Sequence, residues 1–226
     1  MKNLCANLFE KTIPLCLLLL ALAGTGCTTS MRGQVPAYAG PSNVPTTKGK
    51  QTAILAGGCF WGVDAVFKHV KGVEKVVSGY SGGEASTAEY ETVSSGSTGH
   101  AESVKITYDP LQVSFSELLR IFFSVATDPT ELNRQGPDVG TQYRSVIFYN
   151  NEDQKRIAQD YIAQLNKSGA FHRRIVTQVV PFKAFYPAEA YHQNFLERHP
   201  TYPYIVFNDL PKLRALKKEF PEIYRK

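Results

Sequence analysis

A chain of 226 residues with 43% hydrophobic, 12% aromatic and 20% charged side chains is long enough to bury a core and too apolar to be largely disordered. Its 4 cysteines exclude a disulfide-stapled mini-protein; Cys5, Cys16 and Cys27 fall in the first 27 residues, so Cys59 has no later cysteine to pair with. The net charge of +5 hints at nucleic acid only until it is divided along the chain: residues 1–50 hold five Lys/Arg against Glu10, and 51–226, with 20 basic and 19 acidic side chains, lacks the basic, aromatic-laced stripe of a nucleic-acid binder.

Residues 1–27 have the layout of an export signal. Lys2 and Lys11 precede an uncharged apolar run of 11 residues, Ile13 to Ala23, which is too short to span a bilayer, and Gly24, Thr25 and Gly26 follow. A cysteine directly after such small residues resembles the bacterial lipoprotein processing site, which makes Cys27 the lipidated first residue of an exported protein held on the periplasmic side of the cell envelope. Gly24 stands where those signals usually carry Leu, so cleavage after Ala21–Ala23 and a soluble periplasmic product is the alternative. Either cut discards Cys5 and Cys16. Residues 28–50, rich in Thr, Ser, Gly, Pro and Lys without apolar periodicity, read as a flexible tether.

From residue 51 strands and helices alternate. Gln51–Gly57 is a short apolar strand, and Phe60, Val63, Phe67 and Val70 recur at helical spacing until Gly72. Val73–Tyr80 is a strand, 81–99 a Gly/Ser/Thr-rich loop, and His100–Tyr108 a strand with apolar residues at every second position. Ser114 with Glu117 opens a helix as a capping box. Then follow a strand at Ser145–Tyr149, a helix at Glu152–Lys167, a strand at Ile175–Pro181, a helix from Pro187 to about Arg198, and a last surface helix at Leu210–Glu219. The order predicts a single α/β (α+β) domain over 51–226, a mixed sheet with packed helices of the split βαβ, ferredoxin-like kind.

Two residues stand out chemically. Cys59 sits where a strand hands over to a helix, and free amide groups at a helix start favour a thiolate; the plainer alternative is a small buried packing residue. Gly57 and Gly58 before it, with Phe60 and Trp61 after it, favour the first, because they allow close backbone approach and an apolar lining. Glu102 shares a strand face with Val104, Ile106 and Tyr108, where desolvation would raise its pKa and leave it a proton donor near neutrality, unless the strand end is solvated. The five histidines show no ligand spacing, so no metal site is expected, and His192 is read as structural.

The motifs Gly58-Cys59-Phe60-Trp61-Gly62, Gly79-Tyr80-Ser81-Gly82-Gly83, Thr98-Gly99-His100-Ala101-Glu102, Asp138-Val139-Gly140-Thr141-Gln142-Tyr143-Arg144 and Ala188-Glu189-Ala190-Tyr191-His192-Gln193 occur in this order. Over residues 51–200 the chain resembles peptide methionine sulfoxide reductase type A. The resemblance implies thiol-dependent reduction of methionine S-sulfoxide, free or in proteins. It assigns Cys59 as nucleophile on the sulfoxide sulfur, Glu102 as the acid for its oxygen, Tyr90 and Tyr143 as hydroxyl donors to that oxygen, Phe60 and Trp61 as the aromatic holder of the S-methyl group, and Asp138 as support of the substrate site.

This chain departs from the family in Ser86-Thr87-Ala88-Glu89, where an Asn-Pro turn is common, in Pro137, and in having no C-terminal resolving cysteine. The expected cycle therefore forms a sulfenic acid on Cys59 that an external thiol reduces, either a thioredoxin-like protein or a small thiol, with no bound cofactor. The expected partners are oxidised envelope proteins, that reductant and, through a lipid anchor, a membrane; monomer is the default. The rival readings are a thiol hydrolase using Cys59 with His100 as base, and a module that only binds Met-rich partners.

Overall fold

The computed structural model describes residues 34–41 and 49–226. The expected leader, Cys27 and the rest of the expected tether lie outside the described residues. The elements that position the site are β1 (Gln51–Gly57), α1 (Phe60–Lys68), β2 (Val73–Ser81), β3 (Ala101–Tyr108), α2 (Phe115–Ile121), β4 (Ser145–Tyr149), α3 (Glu152–Ser168), β5 (Gln178–Pro181), β6 (Tyr186–Pro187) and α4 (Leu210–Glu219).

The sheet order is β5-β4-β1-β3-β2-β6. β3 runs antiparallel to both β1 and β2, so the β1-α1-β2 unit is split by a strand inserted between its two parallel members. β4 pairs antiparallel with β1, and the edge strand β5 is parallel to β4. The fold is thus a mixed sheet with a split βαβ core. One face presents Ala53, Leu55, Val104, Ile106, Tyr108 and Ile147 to the apolar sides of α1, α2 and α3. The other presents Ile54, Ala56, Val146 and Phe148 to Val180, Phe182 and Phe185. β1 is covered on both faces, which is why its sequence is an apolar run rather than an alternation.

Local signals account for most element ends. Ser114 and Glu117 form both bonds of the capping box, and a π-helical turn extends that helix through Phe122–Ala126. The Asn151 side chain accepts from the Gln154 amide at 2.9 Å, and Gly169, with φ of 72°, ends α3 in the left-handed conformation.

Three expectations are corrected. The helix expected from Pro187 to Arg198 is instead the strand pair of β6 on Gly79 and Tyr80, a 3-10 turn at Ala190–His192 and one helical turn at Phe195–Arg198. The reason is competition by side chains: Gln193 accepts from the Ser78 amide at 3.0 Å and donates to the Ser78 and Ala188 carbonyls at 2.9 Å each, while Asn194 takes a φ of 55°. The strand expected at Ile175–Pro181 is paired only from Gln178. Finally, the described part of the expected tether is docked rather than loose. Val35 is 3% exposed, Tyr161 donates to the Pro36 carbonyl at 2.6 Å, and Gln164 bonds both the Ala37 carbonyl and the Ala39 amide. Apolar and amide partners on α3, invisible in the composition of 28–50, hold it there.

Candidate active site

The site gathers at the Gly57 end of the sheet. Gly58, with φ of 95°, makes the sharp exit from β1, and a Cβ there would strike the Gln135 side chain. Cys59 is thereby set at the N-cap of α1, the strand-to-helix position expected from the sequence. Glu102, at the start of β3 opposite Tyr80, projects to the helix-bearing face, and its Oε2 accepts from the Phe60 amide at 3.0 Å. One of the orphan donors of α1 is therefore spent on the acid rather than on the thiol.

The thiolate expectation for the free protein is overturned by burial. Cys59 is 8% exposed, and desolvation pushes its thiol well up, with the Glu102 and Asp209 carboxyls adding to this; only the Trp61 backbone N–H works the other way. Glu102, 3% exposed, is pushed up to about 8, first by burial, with Phe60 opposing and Asp138 and Asp209 reinforcing. The thiol and the carboxyl lie against each other, and burial favours the protonated, neutral form of both.

Tyr90 and Tyr143 are both half-buried, and both feel Glu102 and Cys59. Burial raises each phenol, so both remain neutral donors. They are brought together by stitching between two loops. Gln142 donates to the Ser94 carbonyl at 2.9 Å, Thr141 to Gly96, and the Arg144 guanidinium to the Gly99 and His100 carbonyls at 2.8 and 3.0 Å. Glu189 fixes the start of the Tyr90 turn, accepting from its amide at 2.9 Å and from the Tyr80 hydroxyl at 2.8 Å.

The aromatic residues divide. Phe60 is 1% exposed and packs beneath the site against Tyr80 and His192. Trp61 is partly exposed, its ring stacked 3.7 Å from that of Phe195 and met edge-on by Tyr204 at 5.8 Å. His192 accepts from the Trp61 indole at 3.2 Å through Nδ1, so it fixes that ring; its Nε2 is buried without a partner. Asp138 lies on a small hairpin, Arg134–Gln135 with Asp138–Val139, and accepts from the Tyr204 hydroxyl.

Sequence reasoning missed Tyr204 and Asp209. Asp209 is fully buried beside the first turn of α1, where a Cβ on Gly62 would collide with its Oδ1. Lys212 stands 3.4 Å from that oxygen, and burial raises the carboxyl to about 6. The available signals were the aromatic pair Tyr202 and Tyr204 around Pro203, and an Asp directly before a helix. His100 spends both ring nitrogens elsewhere: Gly83 donates to Nδ1 at 3.2 Å and Nε2 meets the Glu84 carbonyl at 3.0 Å. It is not placed as a base for Cys59. Among the described residues no group of three or more His, Cys, Asp or Glu is placed to hold a metal ion.

A thiol and an acid in a dry setting, faced by two neutral phenols and flanked by an indole, suit polarisation of a small polar X=O group and attack on X. The comparisons agree. The model of the family described as peptide methionine sulfoxide reductase matches residues 51–223. Peptide methionine sulfoxide reductase MsrA 2 of Mesorhizobium japonicum is 62% identical over 176 residues, covering 78% of this chain and 90% of that one. The MsrA 2 of Synechocystis sp. is 55% identical over 177 residues, covering 78% and 83%. Among solved structures, Mxr1 from Saccharomyces cerevisiae in reduced form superposes with a TM-score of 0.62 at 33% identity, covering 70% of this chain and 92% of that one. Methionine sulfoxide reductase A of Corynebacterium diphtheriae gives 0.58 at 33%, covering 69% and 77%. A dry thiol and acid pair on a split βαβ sheet, matched by relatives over three quarters of its length, places this chain in the peptide methionine sulfoxide reductase family.

Proposed function

We propose that Cys59, Glu102, Tyr90 and Tyr143 together carry the thiol-dependent reduction of methionine S-sulfoxide that belongs to this family. The observation that carries the assignment is the buried contact between the Cys59 thiol and a Glu102 carboxyl that burial keeps protonated near neutrality, with both phenols near enough to feel the charge of either group.

The sulfoxide oxygen accepts hydrogen bonds from Tyr90 and Tyr143 and the proton of Glu102, which makes the sulfur electrophilic. Cys59 gives its own proton to the emptied carboxylate and attacks that sulfur, so the free-state thiol becomes a nucleophile only as the oxygen is protonated. The S–O bond breaks as the oxygen takes a second proton and leaves as water, and water then attacks Cys59 Sγ and breaks the new S–S bond, so that Cys59 becomes a sulfenic acid and the substrate, reduced by two electrons, leaves as the thioether. A first external thiol displaces the oxygen as water and forms a mixed disulfide. A second releases Cys59 and leaves with the first as a disulfide. The sum is one sulfoxide and two thiols to one thioether, one disulfide and water. No later cysteine in the sequence supports reduction from outside, by a thioredoxin-like protein or a small thiol.

The assay is dithiothreitol-dependent reduction of the S epimer of a methionine sulfoxide peptide, with the R epimer as control. Reduction of S alone is expected; equal rates on both epimers would refute the assignment. A rate that survives Glu102→Gln but fails on His100→Ala would favour the thiol hydrolase arrangement instead.

The same proposal includes export and acylation of Cys27 and repair of oxidised envelope proteins, supported by the apolar run and the small residues before Cys27. Labelling with an alkyne fatty acid should mark the wild type and spare Cys27→Ala.

A further inference from the structure

The charges of α3 are divided along its length. In its first half Glu152 lies 3.0 Å from Lys155, and Asp153 and Asp160 lie 3.5 and 3.9 Å from Arg156. After Asp160 the sequence has no Asp or Glu until Glu189, yet Lys167, His172, Arg173, Arg174 and Lys183 fall in that stretch. Their four Lys/Arg charges are a local excess within residues 51–226, whose 20 basic and 19 acidic side chains otherwise balance. The fold gathers most of them. Gly169 ends α3, and the loop that returns the chain to β5 lines, with the last turns of the helix, a cleft of about 840 Å³. Lys167, His172, Arg173 and Arg174 stand exposed around it, half-buried Ile162, Phe171 and Val179 supply its apolar wall, and no carboxylate lines it. The loop is fixed on both sides of the arginines: Ala170 and Ile175 are buried, the Ile175 amide donates to the Asn166 side chain at 2.9 Å, and the Val176 amide donates to the Pro129 carbonyl at 2.8 Å.

Lys155 and Arg156 are offset by neighbouring carboxylates, whereas among the described residues Lys167, Arg173 and Arg174 make no ion pair. Unpaired cations around a concave surface keep a positive field, and two adjacent guanidiniums suit phosphate oxygens as bidentate donors. The apolar wall narrows the ligand further, since a small free anion leaves it in water while the glycerol and acyl carbons of a lipid cover it. The course of the docked segment agrees. Gln164 donates to the Ala37 carbonyl at 2.8 Å and Arg156 to the Pro41 carbonyl at 3.3 Å, so the segment runs antiparallel to α3, with its Gln34 end towards the end of the helix that carries Lys167. The described chain therefore begins at the end of α3 that bears the cleft, and the apolar run Ile13–Ala23 precedes it in sequence.

We infer that this cleft docks the domain on an anionic phospholipid surface, with headgroup phosphates held by Lys167, Arg173 and Arg174 and the lipid's glycerol region against Phe171 and Ile162. A single acyl chain holds a protein to a bilayer only reversibly, and a basic patch is the kind of second attachment that makes the hold stable. The inference depends neither on the reductase assignment nor on acylation of Cys27, because the cleft belongs to the folded domain. Gln178 pairs with Val146, and Ser145 with Gly57, so the cleft opens at the Cys59 end of the sheet and docking there keeps that end close to the bilayer.

The test is sedimentation of the full chain with vesicles of phosphatidylcholine alone or mixed with phosphatidylglycerol. The wild type is expected to favour the anionic vesicles and to lose that preference as salt rises from about 0.05 to about 0.5 M. Arg173→Gln and Arg174→Gln should each weaken binding to anionic vesicles about fivefold, and Lys167→Gln/Arg173→Gln/Arg174→Gln about a hundredfold. Residues 1–33 are common to every variant, so their own affinity for lipid cancels. Arg214→Gln/Lys217→Gln/Lys218→Gln, which removes the same charge from α4, should stay within about twofold of the wild type. No preference in the wild type, a preference that survives the triple cleft variant, or an equal loss in the α4 variant would overturn the inference. So would equally tight binding to duplex DNA, or release by inorganic phosphate matched to the lipid phosphate concentration, which would make the cleft a general polyanion site or a soluble-phosphate site. Dithiothreitol-dependent reduction of a soluble sulfoxide peptide should be the same in the cleft variant and the wild type. Its loss from the cleft variant alone would tie the arginines to the reductase site and overturn the inference, whereas its absence from both would overturn the reductase assignment and leave the docking result to stand by itself.

Discussion

The α3 flank of the sheet and its Cys59 end treat buried polar groups in opposite ways. On the α3 side they are matched: Gln154 donates to the Thr52 carbonyl and accepts from the Asn150 amide, Ser145 and Thr177 bond each other at 2.8 Å, and Asn166 accepts from Ile175. At the Cys59 end Asp209 Oδ2, His192 Nε2 and Gln142 Oε1 have no partner, and Glu102 is a desolvated carboxyl. Unmatched buried groups cost stability. Asp64 Oδ1 and Ser78 Oγ are unmatched as well, so it is the α3 flank that stands out as matched, and its contrast with the Cys59 end teaches that the cost of keeping a carboxyl, a thiol and two phenols dry is offset elsewhere in the scaffold.

Substitutions that separate catalysis from stability test this division. Cys59→Ser should have the largest effect, loss of all turnover, and one equivalent of sulfoxide without thiol should add one oxygen to the wild type and none to the variant by mass spectrometry. Glu102→Gln removes the proton donor and should lower kcat/KM by about 10²–10⁴, the usual weight of general acid catalysis, with little loss of melting temperature. Tyr90→Phe and Tyr143→Phe should each cost about tenfold because the other phenol remains, and the double variant about 10²–10³. A double variant no slower than either single one would show that only one phenol reaches the oxygen.

The same contrast predicts a pH dependence of stability. Glu102 titrates near 8 in the folded chain, above the roughly 4.3 of an exposed glutamate, so the native state holds its proton longer than the unfolded one. The contribution of Glu102 is then fully present below about pH 4 and is lost as pH rises through about 8. Asp64 and Asp209, both raised by burial to about 6, act in the same direction at lower pH. Melting curves of Glu102→Gln should lose the part of the decline between about pH 6 and 8; an unchanged slope would place Glu102 in water. The smallest effect belongs to the α3 flank, where Asn151→Ala removes a cap and should cost about 1 kcal/mol in denaturant unfolding without changing kcat/KM.

Much of the site was legible because it is encoded locally. The alternation of β3 put Glu102 with Val104 and Ile106, and an apolar run ending in Gly57-Gly58 put Cys59 at a helix start. The segment after β6 was not legible, since Pro187 and the residues after it suit a helix until Gln193 finds the backbone of β2. Nor was the neutral state of Cys59, because helix position favours a thiolate while burial, and after it the charges of Glu102 and Asp209, oppose it through contacts between residues far apart in the chain.

The sequence by itself determined most strands and helices up to β5, the strand-to-helix place of Cys59 and the apolar strand face of Glu102, because each is a property of residue type or of spacing within one element. Only the tertiary structure decided that the segment around Val35–Ala39 docks on α3 and that Tyr204 and Asp209 join the site. Those facts depend on contacts between residues far apart in the chain, whose free energies of burial and hydrogen bonding no local pattern contains.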